Sequence, residues 1–572
     1  MSDFISEKMP QKKYYRDVPL RNIDSNQSMY SLIKNINDEN LDLNAIGYMN
    51  HNYTYEEVLK EVDKTAIAFK QLGIKENDVV LIATVTTPEV AKILLALNKI
   101  GAVSKWIDLR VKKDDLEYYI NEHESKYIIC FDMLIPVVKD AINNTDVLKA
   151  IIVKPTDSLS KIEKAGYILK SKLDGSYNDL PKDNRFIYFN DLLKKVDKSI
   201  IVNPVSFDKE RPSLLIQSSG TTGKAKSIVH TDYTVNESIN KLNNFDLPFY
   251  KGNRLLVTVP PWVGYGLINS YYLSIAMGMQ AVLCPKVDRD TVFNEIGKFD
   301  LAFAAPLHYR YLVEMIDKCK DLSEIQALIT GGDKVTKEEL INIKNILMTK
   351  GFNGEIINGY GNNEGLGAET ANPLSYNKLG SVGIPLPGNV IAAFDSNNNE
   401  LKINEQGELC VKTSTMFKEY AFNEEETSKI KQLHNDGEYW IHTGDLGRID
   451  EEGFVFIEGR LRRVIIRKAF KIFPGTIEER IKNHYAVKDC VTIGVEDKED
   501  LNVPMSFIVL KDEYLGKEKE ILNEIKLKCE KELKDYETPV YYEIINEIPY
   551  TQNNKQDFRQ LEDIGKRKVL KK

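Results

Sequence analysis

The sequence predicts an α/β protein with a large N-terminal domain of layered sheets and a small C-terminal α+β domain. Three observations lead to this fold class. The chain has 572 residues, which exceeds the usual size of one hydrophobic core. From about residue 53 to residue 460, short apolar runs alternate with helical patterns. Near residue 447 this alternation gives way to the pattern of a hairpin.

Strands and helices alternate along the N-terminal part. DVVLIAT (78–84) is typical of a buried strand, and TPEVAKILLALNKIGA (87–102) is typical of the helix that follows it. The same order returns in NRLLVTVP, LINSYYLSIAMG, QAVLCP, DRDTVFNEIGKF and LAFAAP. This order favours sheets of largely parallel strands, which place phosphate-binding loops at the carboxyl ends of strands.

The C-terminal part begins near a hairpin pattern. GRIDEEGFVFIEGR (447–460) places two apolar runs around Glu451, Glu452 and Gly453. A basic cluster at 460–463 and a small αβ segment follow it. We therefore expect an N-terminal domain over residues 1–461 and a C-terminal domain over residues 462–572.

Composition and charge narrow the class of protein. The net charge of -8 argues against a nucleic-acid partner, because phosphates require a basic surface. The six cysteines and seven histidines show no metal-binding spacing, which indicates reduced thiols. The N-terminus has no apolar signal region, and no apolar run reaches the ~18 residues of a membrane span. We expect a cytoplasmic protein.

One segment, SLSKIEKAGYILKSKLDG (158–175), fits neither domain. A helix here would carry Ile162, Ala165, Leu169 and Leu173 on one stripe with lysines around it. We expect this stripe to dock on its own domain. Contact of the basic amphipathic helix with a membrane surface is the alternative.

The loop SSGTTGKAKS (218–227) follows the predicted strand RPSLLIQ and is rich in glycine and hydroxyl groups. It is not the P-loop of nucleotide hydrolases, G-x-x-x-x-G-K-[ST], because Ser218 replaces the first glycine and Ala225 replaces the hydroxyl residue that would bind Mg²⁺. Glycines here let the backbone approach a ligand closely, while hydroxyls and Lys226 suit a phosphate. The alternative is a polar turn without a ligand.

Six further motifs follow this loop in the chain. They are NGYGNNEG (358–365), GSVGIPLPG (380–388), GELCV (407–411), YWIHTGDLGRID (439–450), GRLRRVIIRKAFKIFPGTIEE (459–479) and PYTQNNKQDFRQL (549–561). In order, spacing and content the seven motifs resemble the adenylate-forming superfamily, which includes acyl-CoA synthetases and adenylation domains. The resemblance runs from YTYEEV at residue 53 to residue 561.

The resemblance implies an ATP site along these motifs. It assigns the β- and γ-phosphates to the loop, adenine stacking to Tyr360, the ribose hydroxyls to Asp445, ribose and phosphate oxygens to Arg460, and Mg²⁺ to Glu364. The residues that it implies for ATP or AMP are Ser218, Ser219, Gly220, Thr221, Thr222, Gly223, Lys226, Gly331, Gly332, Asp333, Asn358, Tyr360, Gly361, Asn363, Asp445 and Arg460.

The resemblance also implies the catalytic residues and a domain movement. Lys555, Glu364 and Thr222 would be catalytic, and Arg462 would be the hinge about which a mobile C-terminal domain moves between two half-reactions. The chain departs from the family pattern at Asn363, where threonine is usual, and at Ala469 and Asn554, where glycine is usual. Ala469 would narrow the path of the thiol substrate.

The acyl pocket is implied by PPWVGYG (260–266), with Trp262, Gly264 and Tyr265 as its residues. Their apolar character favours a fatty or aromatic acid. The resemblance then implies an ATP-, Mg²⁺- and CoA-dependent acid–thiol ligase that forms an acyl-adenylate. Two alternatives stay open: an adenylation enzyme that loads the phosphopantetheine of an acyl carrier protein, and a nucleotide-binding protein with impaired turnover.

Overall fold

The structure is a computed structural model. It describes residues 3–15, 18–21, 23–159, 161–173, 179–218, 225–285, 295, 297–319, 321–333, 335–467, 470–497, 501–550 and 556–569.

The strands of these residues, numbered in chain order, are β1 (Asn44–Tyr48), β2 (His51–Thr54), β3 (Val79–Ala83), β4 (Val103–Trp106), β5 (Tyr127–Phe131), β6 (Lys149–Val153), β7 (Phe186–Tyr188), β8 (Pro212–Gln217), β9 (Ser227–Thr231), β10 (Arg254–Val257), β11 (Gln280–Leu283), β12 (Leu301–Ala304), β13 (Ala327–Thr330), β14 (Glu355–Asn362), β15 (Gly367–Ala371), β16 (Ile384–Pro385), β17 (Val390–Phe394), β18 (Gly407–Lys412), β19 (Lys431–Leu433), β20 (Tyr439–Ile449), β21 (Val455–Arg460), β22 (Ile465–Arg467), β23 (Phe470–Ile472), β24 (Val487–Asp497), β25 (Leu501–Leu510) and β26 (Tyr541–Ile544).

The α-helices of the described residues are Ile5–Lys8, Met29–Ile36, Tyr55–Leu72, Glu89–Lys99, Lys113–Glu122, Ile135–Ala141, Lys161–Leu173, Phe189–Lys194, Asp232–Asn243, Gly264–Gly266, Leu273–Ala276, Pro306–Glu314, Lys337–Met348, Glu424–Ile430, Pro474–Lys482, Glu518–Glu532 and Phe558–Val569. The shorter helical turns are Pro10–Tyr15, Asp132–Leu134, Ile142–Asn144, Ile316–Lys318, Leu461–Arg463 and Asp512–Tyr514, with a π-helix at Leu267–Tyr272.

Two large sheets build the N-terminal part. Their strand orders are β7-β6-β5-β3-β4-β8-β9 and β16-β15-β14-β13-β12-β10-β11-β1-β2. All pairs are parallel except β8–β9, β14–β15, β15–β16 and β1–β2, which are antiparallel. The prediction of largely parallel sheets is therefore confirmed.

One helix joins the two sheets into a single core. Every residue of Glu89–Lys99 is buried. Its apolar side chains belong to a cluster that also contains Val80 of one sheet and Leu255 of the other. The predicted strand at 78–84 and the predicted helix at 87–102 are confirmed with slightly narrower bounds.

A third, antiparallel sheet follows in the order β17-β18-β20-β19, with β21 paired to β20. The predicted hairpin is confirmed, because β20 and β21 enclose a turn in which Gly453 has a φ of +90°. The smaller C-terminal part contains the sheet β24-β25-β26 and three of the helices. The domain boundary at residue 462 stays a prediction.

The helix Lys161–Leu173 differs from the docking expectation. Leu169 is 63% exposed and Leu173 is 81% exposed, and Ala165 is exposed as well. Ser171 is buried instead. The expectation that the stripe docks on its own domain is therefore wrong for these residues, because Ser171 rather than either leucine contacts the rest of the protein. Among the described residues, no helix combines the length and hydropathy that crossing a membrane requires.

Candidate active site

The base of the loop at 218–227 is closed by hydrogen bonds. β8 and β9 pair up to Gln217 and Ser227. The Ser218 amide donates to the Lys226 carbonyl at 2.9 Å, and the Lys226 amide donates to the Ser218 hydroxyl at 2.9 Å. β8 and β9 thus hold both ends of the loop at the carboxyl end of β8, whose other neighbour, β4, is parallel to it. The predicted residues Ser219, Gly220, Thr221, Thr222 and Gly223 lie outside the described residues.

Lys226 is linked to Glu364 through a tyrosine. The Lys226 ammonium lies 4.8 Å from the ring centroid of Tyr420, and the Tyr420 hydroxyl donates to Glu364 Oε1 at 2.6 Å. Lys226 also forms an ion pair with Glu426, at the start of the helix Glu424–Ile430. Bonding to Lys226 lowers the pKa of Glu426 to about 2. A phosphate that binds Lys226 must therefore compete with a carboxylate that is ionised at neutral pH.

A second group of residues surrounds Asp445 on β20. The Tyr360 hydroxyl donates to Asp445 Oδ2 at 2.6 Å, and Arg460 Nε lies 2.6 Å from Asp445 Oδ1. The register of β20 and β21 places Asp445 directly opposite Arg460. Burial, with the nearby Asp445 charge, raises the pKa of Tyr360 far above its usual value. The structure thus brings together three residues that were predicted separately for the nucleoside.

The turn before Asp445 fixes its orientation. Gly444 has a φ of +69°, a conformation that glycine adopts without strain. Its amide donates to Glu408 Oε1 at 2.9 Å, and the Asp445 amide donates to the Thr443 hydroxyl at 3.0 Å. Each carboxylate oxygen has two lone pairs, so Asp445 can accept further hydrogen bonds from a ligand.

Glu364 lies in the short loop between β14 and β15. The Gly365 amide donates to Asn362 Oδ1 at 2.6 Å, and Leu366 is fully buried with a φ of +65°. At Gly367, whose φ is +97°, a Cβ atom would lie 1.7 Å from Asn269 Oδ1. Close packing therefore determines where the Glu364 carboxylate lies.

A buried polar network supports the same loop. Lys241 donates to Asn389 Oδ1 at 2.6 Å, and Asn389 donates to Glu369 Oε2 at 2.9 Å. A Cβ atom on Gly365 would lie only 1.4 Å from Glu369 Oε1, so this position requires glycine. Burial lowers the pKa of Lys241 to about 8 and raises the pKa of Glu369 to about 8.

Asn363 connects three parts of the site. Its Oδ1 accepts from the Gly264 amide at 3.2 Å, and its Nδ2 donates to the Gln217 carbonyl at 2.9 Å. Its own carbonyl lies 2.8 Å from His230 Nε2. Burial lowers the pKa of His230 to about 4, so the neutral imidazole donates this bond. The amide thus joins the end of β8 to the predicted acyl pocket.

The predicted acyl-pocket residues lie beside Asn363. The Tyr265 hydroxyl donates to the Ile329 carbonyl at 3.2 Å, and its ring meets Phe303 edge-on at 5.5 Å. Trp262 is partly buried against the main core. A Cβ atom on Gly264 would lie 3.2 Å from Asn363 Oδ1. These contacts form an apolar wall with one amide at its edge.

The predicted adenine side lies at the carboxyl ends of β13 and β14. A Cβ atom on Gly331 would lie 3.1 Å from the Gly359 carbonyl, and Gly332 has a φ of +82°. Gly361 lies against the Gly367 carbonyl in the β14–β15 pair. Asn358 is buried and donates to the Ser381 carbonyl at 3.2 Å, which anchors the loop of GSVGIPLPG. A role of Asn358 toward a nucleotide stays a prediction.

Sequence and structure comparisons identify the family. The profile described as "AMP-binding enzyme" matches residues 34–421. The chain belongs to the AMP-binding enzymes. The profile described as "AMP-binding enzyme C-terminal domain" matches residues 476–555.

Named relatives are CoA ligases. The chain is 26% identical over 546 residues to a long-chain-fatty-acid–CoA ligase of Bacillus subtilis (strain 168), which covers 94% of this chain and 95% of that protein. It is 24% identical over 478 residues to a probable 4-coumarate–CoA ligase 2 of Dictyostelium discoideum, covering 82% of this chain and 83% of that protein. The AMP-binding enzyme described here is an acid–thiol ligase of the acyl-CoA ligase group.

Solved structures share the fold. The anthranilate CoA ligase AuaEII in complex with anthranoyl-AMP has a TM-score of 0.81 at 20% identity, covering 97% of this chain and 99% of that chain. ATP-bound MatB from Rhodopseudomonas palustris has a TM-score of 0.81 at 19% identity, covering 94% of this chain and 99% of that chain. The predicted α/β architecture of an adenylate-forming enzyme, with a large and a small domain, is confirmed.

In this AMP-binding enzyme, Arg462 lies in the helical turn Leu461–Arg463, which connects β21 to β22. Burial and the charge of Arg460 lower the pKa of Arg462. Burial and the charge of Asp489 raise the pKa of Tyr550, whose hydroxyl donates to Asp489 Oδ2 at 3.4 Å. Lys555, Asn554 and Ala469 lie outside the described residues, and their roles stay predictions.

Sequence reasoning missed Tyr420, Glu426 and the network under Gly365. Tyr420 lies between Phe417 and Phe422 in a region without a motif, so nothing in the sequence distinguishes it from a core aromatic residue. The run Glu424–Glu426 is typical of the first turn of a helix, where acidic residues stabilise the helix dipole. Lys241 and Glu369 become partners only through Asn389.

Proposed function

We propose that this enzyme uses ATP to convert a fatty or aromatic carboxylic acid into an acyl-adenylate and then transfers the acyl group to the thiol of CoA. The observation that carries the proposal is a pair of residue groups: Tyr360 and Arg460 both contact Asp445, and Tyr420 links Lys226 to Glu364, which follows Tyr360 by four residues. The first group offers acceptors and a guanidinium to a nucleoside. The second offers a carboxylate and an ammonium at the end of the phosphate-type loop.

The first half-reaction needs positive charge. The carboxylate of the acid attacks the α-phosphorus of ATP, the bond to pyrophosphate breaks, and two anions must approach each other. Catalysis is therefore mainly positioning and charge neutralisation. Lys226 would hold the outer phosphates after it leaves Glu426, and Lys555 would neutralise the α-phosphate and the leaving group.

Glu364 is suited to be a ligand of Mg²⁺. It offers a hard carboxylate oxygen in a loop that close packing holds in place, next to Lys226, and phosphate oxygens would complete the donor set that Mg²⁺ prefers. When bound, the ion supplies charge neutralisation to the phosphates. The Tyr420 hydroxyl orients the Glu364 carboxylate by donating to Oε1.

The acid would lie along Trp262, Gly264 and Tyr265. This wall is apolar, and the relatives and the fold neighbour named above act on fatty, coumaric and anthranilic acids by their names. Gly264 donates its amide to Asn363, so a larger side chain at either position would change the space beside the α-phosphate.

The second half-reaction requires the C-terminal domain to move about Arg462, which would withdraw Lys555 and admit the thiol. The thiol sulfur then attacks the acyl carbon, AMP leaves with the bonding electrons, and the thiol proton passes to solvent. CoA is the proposed acceptor, because the named relatives are CoA ligases.

Two assays test this function. Pyrophosphate release is measured over a panel of fatty, aromatic and polar acids, and products are identified by mass spectrometry with CoA or with a holo-acyl carrier protein. We expect release with apolar acids and an acyl-CoA product. If an acylated product forms only on the carrier protein, the carrier protein rather than CoA is the acceptor. If ATP binds but no acid causes pyrophosphate release, turnover is impaired.

A further inference from the structure

A buried ion pair lies beside β9, the strand that follows the loop 218–227. Lys105 lies on β4, an interior strand of the seven-stranded sheet, and its side chain is fully buried. Its ammonium donates to Glu122 Oε2 at 3.1 Å and lies 4.3 Å from the ring centroid of Tyr119. Both of these partners belong to the helix Lys113–Glu122. A buried lysine costs desolvation energy, and the mechanism proposed above does not use this one.

Glu122 brings four hydrogen-bond donors to one carboxylate. Its Oε1 accepts from the Tyr118 hydroxyl at 2.7 Å. Its Oε2 accepts from Lys105, from His123 Nε2 at 3.0 Å and from the Ser227 hydroxyl at 3.3 Å. Burial alone would raise the pKa of Glu122, but the hydrogen bond from His123 and the charge of Lys105 lower it to about 2. Burial lowers the pKa of Lys105 to about 8, so both members of the pair are ionised at pH 7.

Ser227 connects this carboxylate to the loop. It is buried, directly follows Lys226 and is the first residue of β9. Its hydroxyl donates to Glu122, and its carbonyl accepts from the Ala421 amide at 2.8 Å. Ala421 follows Tyr420, whose ring lies under the Lys226 ammonium. A single anchored residue therefore determines where Lys226 and the backbone next to Tyr420 lie.

The charge of the pair determines how firmly Ser227 is held. A hydrogen bond to an ionised carboxylate is about twice as strong as one between neutral groups. Lys105 supplies the opposite charge that keeps Glu122 ionised, although Glu122 is shielded from water. Without Lys105, burial would favour the protonated form of Glu122, and the hydrogen bond from Ser227 would weaken.

We propose that Lys105 and Glu122 are positioning residues for the outer phosphates of ATP, and that they act through Ser227. Lys105 keeps Glu122 ionised, Glu122 holds the Ser227 hydroxyl, and Ser227 fixes the backbone from which Lys226 reaches the phosphates. Neither member of the pair touches the nucleotide. The inference rests on the proposed function, because it takes ATP as the ligand of the loop 218–227.

Equilibrium binding of Mg–ATP and of AMP tests the proposal without any turnover. Both dissociation constants are measured by calorimetry at pH 7 on the full chain. Ser227→Ala and Glu122→Gln should each raise the Kd for Mg–ATP by about tenfold, because each removes one hydrogen bond to a charged group. The Kd for AMP should stay within about twofold of wild type, because AMP lacks the β- and γ-phosphates.

The double variant tests whether Glu122 acts through Ser227. Once Ser227→Ala has removed the hydroxyl, Glu122→Gln should raise the Kd for Mg–ATP by no more than about a further twofold. Ser213→Ala is the matched control on β8. Ser213 is a buried serine of the same sheet, and its hydroxyl has no hydrogen-bond partner within the described part of the chain. It should keep both dissociation constants.

Lys105→Met tests the counter-charge, with Lys92→Met as its control. Lys92 is also buried, and its ammonium lies 3.3 Å from Oε1 of the buried Glu89, but it contacts Ser158 rather than the loop 218–227. Lys105→Met should raise the Kd for Mg–ATP by about tenfold and leave the Kd for AMP within about twofold. Lys92→Met should change neither. If Lys105→Met does not fold, the comparison of Ser227→Ala with Ser213→Ala decides.

Three results would overturn the proposal. They are an unchanged Kd for Mg–ATP in Ser227→Ala and Glu122→Gln, equal losses for Mg–ATP and AMP, and additive effects in the double variant. Failure of the proposed function would look different. Wild-type protein would then bind Mg–ATP but release no pyrophosphate with any acid, and the comparison of dissociation constants would still decide on Lys105 and Glu122.

Discussion

The nucleoside side and the phosphate side of the site are held in different ways. Asp445 is buried, and both of its oxygens are bonded, one to Arg460, which strand register places opposite it, and one to Tyr360 of a neighbouring sheet. Lys226 is partly exposed and forms an ion pair with Glu426 on a short helix. The nucleoside side is thus formed before ATP arrives, whereas the phosphate side must exchange an internal partner for the ligand. We expect the nucleoside side to supply most of the affinity for ATP. The phosphate side would instead rearrange when ATP binds.

The largest effect is expected at Glu364. Glu364→Gln keeps the shape and removes the charge that would hold Mg²⁺, so ATP–pyrophosphate exchange should fall by about 100-fold or more. Exchange is measured across a magnesium titration, with thermal unfolding as the control for folding. An unchanged rate and magnesium dependence would remove Glu364 from the metal site.

A comparable loss, restricted to one half-reaction, is expected at Lys555. Lys555→Ala should lower pyrophosphate release by about 100-fold, because one positive charge no longer faces the transition state. Thioester formation from a supplied acyl-adenylate should stay within about twofold of wild type. Equal losses in both assays would assign Lys555 a structural role.

A smaller effect is expected on the nucleoside side. Asp445→Asn keeps the shape, but it removes the charge opposite Arg460 and gives Tyr360 a poorer acceptor. The KM for ATP should rise by about 10-fold to 100-fold, which corresponds to about 1.4–2.8 kcal/mol. Steady-state kinetics with ATP and with GTP would show whether the loss concerns the ribose, which both share. A loss with ATP alone contradicts a ribose contact.

The smallest effect, and one of opposite sign, is expected at Glu426. Glu426→Gln should lower the KM for ATP by about threefold, because Lys226 loses its internal competitor. The pKa of Glu426 is depressed to about 2, so the carboxylate stays ionised at all higher pH values. The gain should therefore be constant between about pH 5 and pH 8. A rise in KM would mean that the ion pair orients Lys226 for ATP rather than competing with it.

Local patterns predicted the fold and the places where the motifs lie. Runs such as VVLIA and the periodic apolar residues of Glu89–Lys99 depend on neighbouring residues, so they can be interpreted in order along the chain. The partners of the site depend instead on strand register and on contacts between distant elements. Asp445 meets Arg460 and Tyr360, and Lys226 meets Glu426, across 15 to 200 residues of sequence. Nothing local identifies such pairs.

The docking prediction for the amphipathic segment 158–175 failed for a related reason. A helical period shows that Ala165, Leu169 and Leu173 share a stripe, but it does not show which side the rest of the protein covers. The structure buries Ser171 and leaves Leu169 and Leu173 exposed. The membrane alternative stays a prediction.

The burial of Leu366 should make opening of the Glu364 loop slow. A leucine at a φ of +65° costs about 1–2 kcal/mol locally, and the burial of its side chain in the main core offsets that cost. The loop cannot open by itself, because opening withdraws Leu366 from the core. Amide hydrogens of Gly365 to Gly367 should then exchange with deuterium only in the slow events that unfold the surrounding sheet. The backbone amides next to the Glu364 carboxylate would then exchange as slowly as those of the protein's interior.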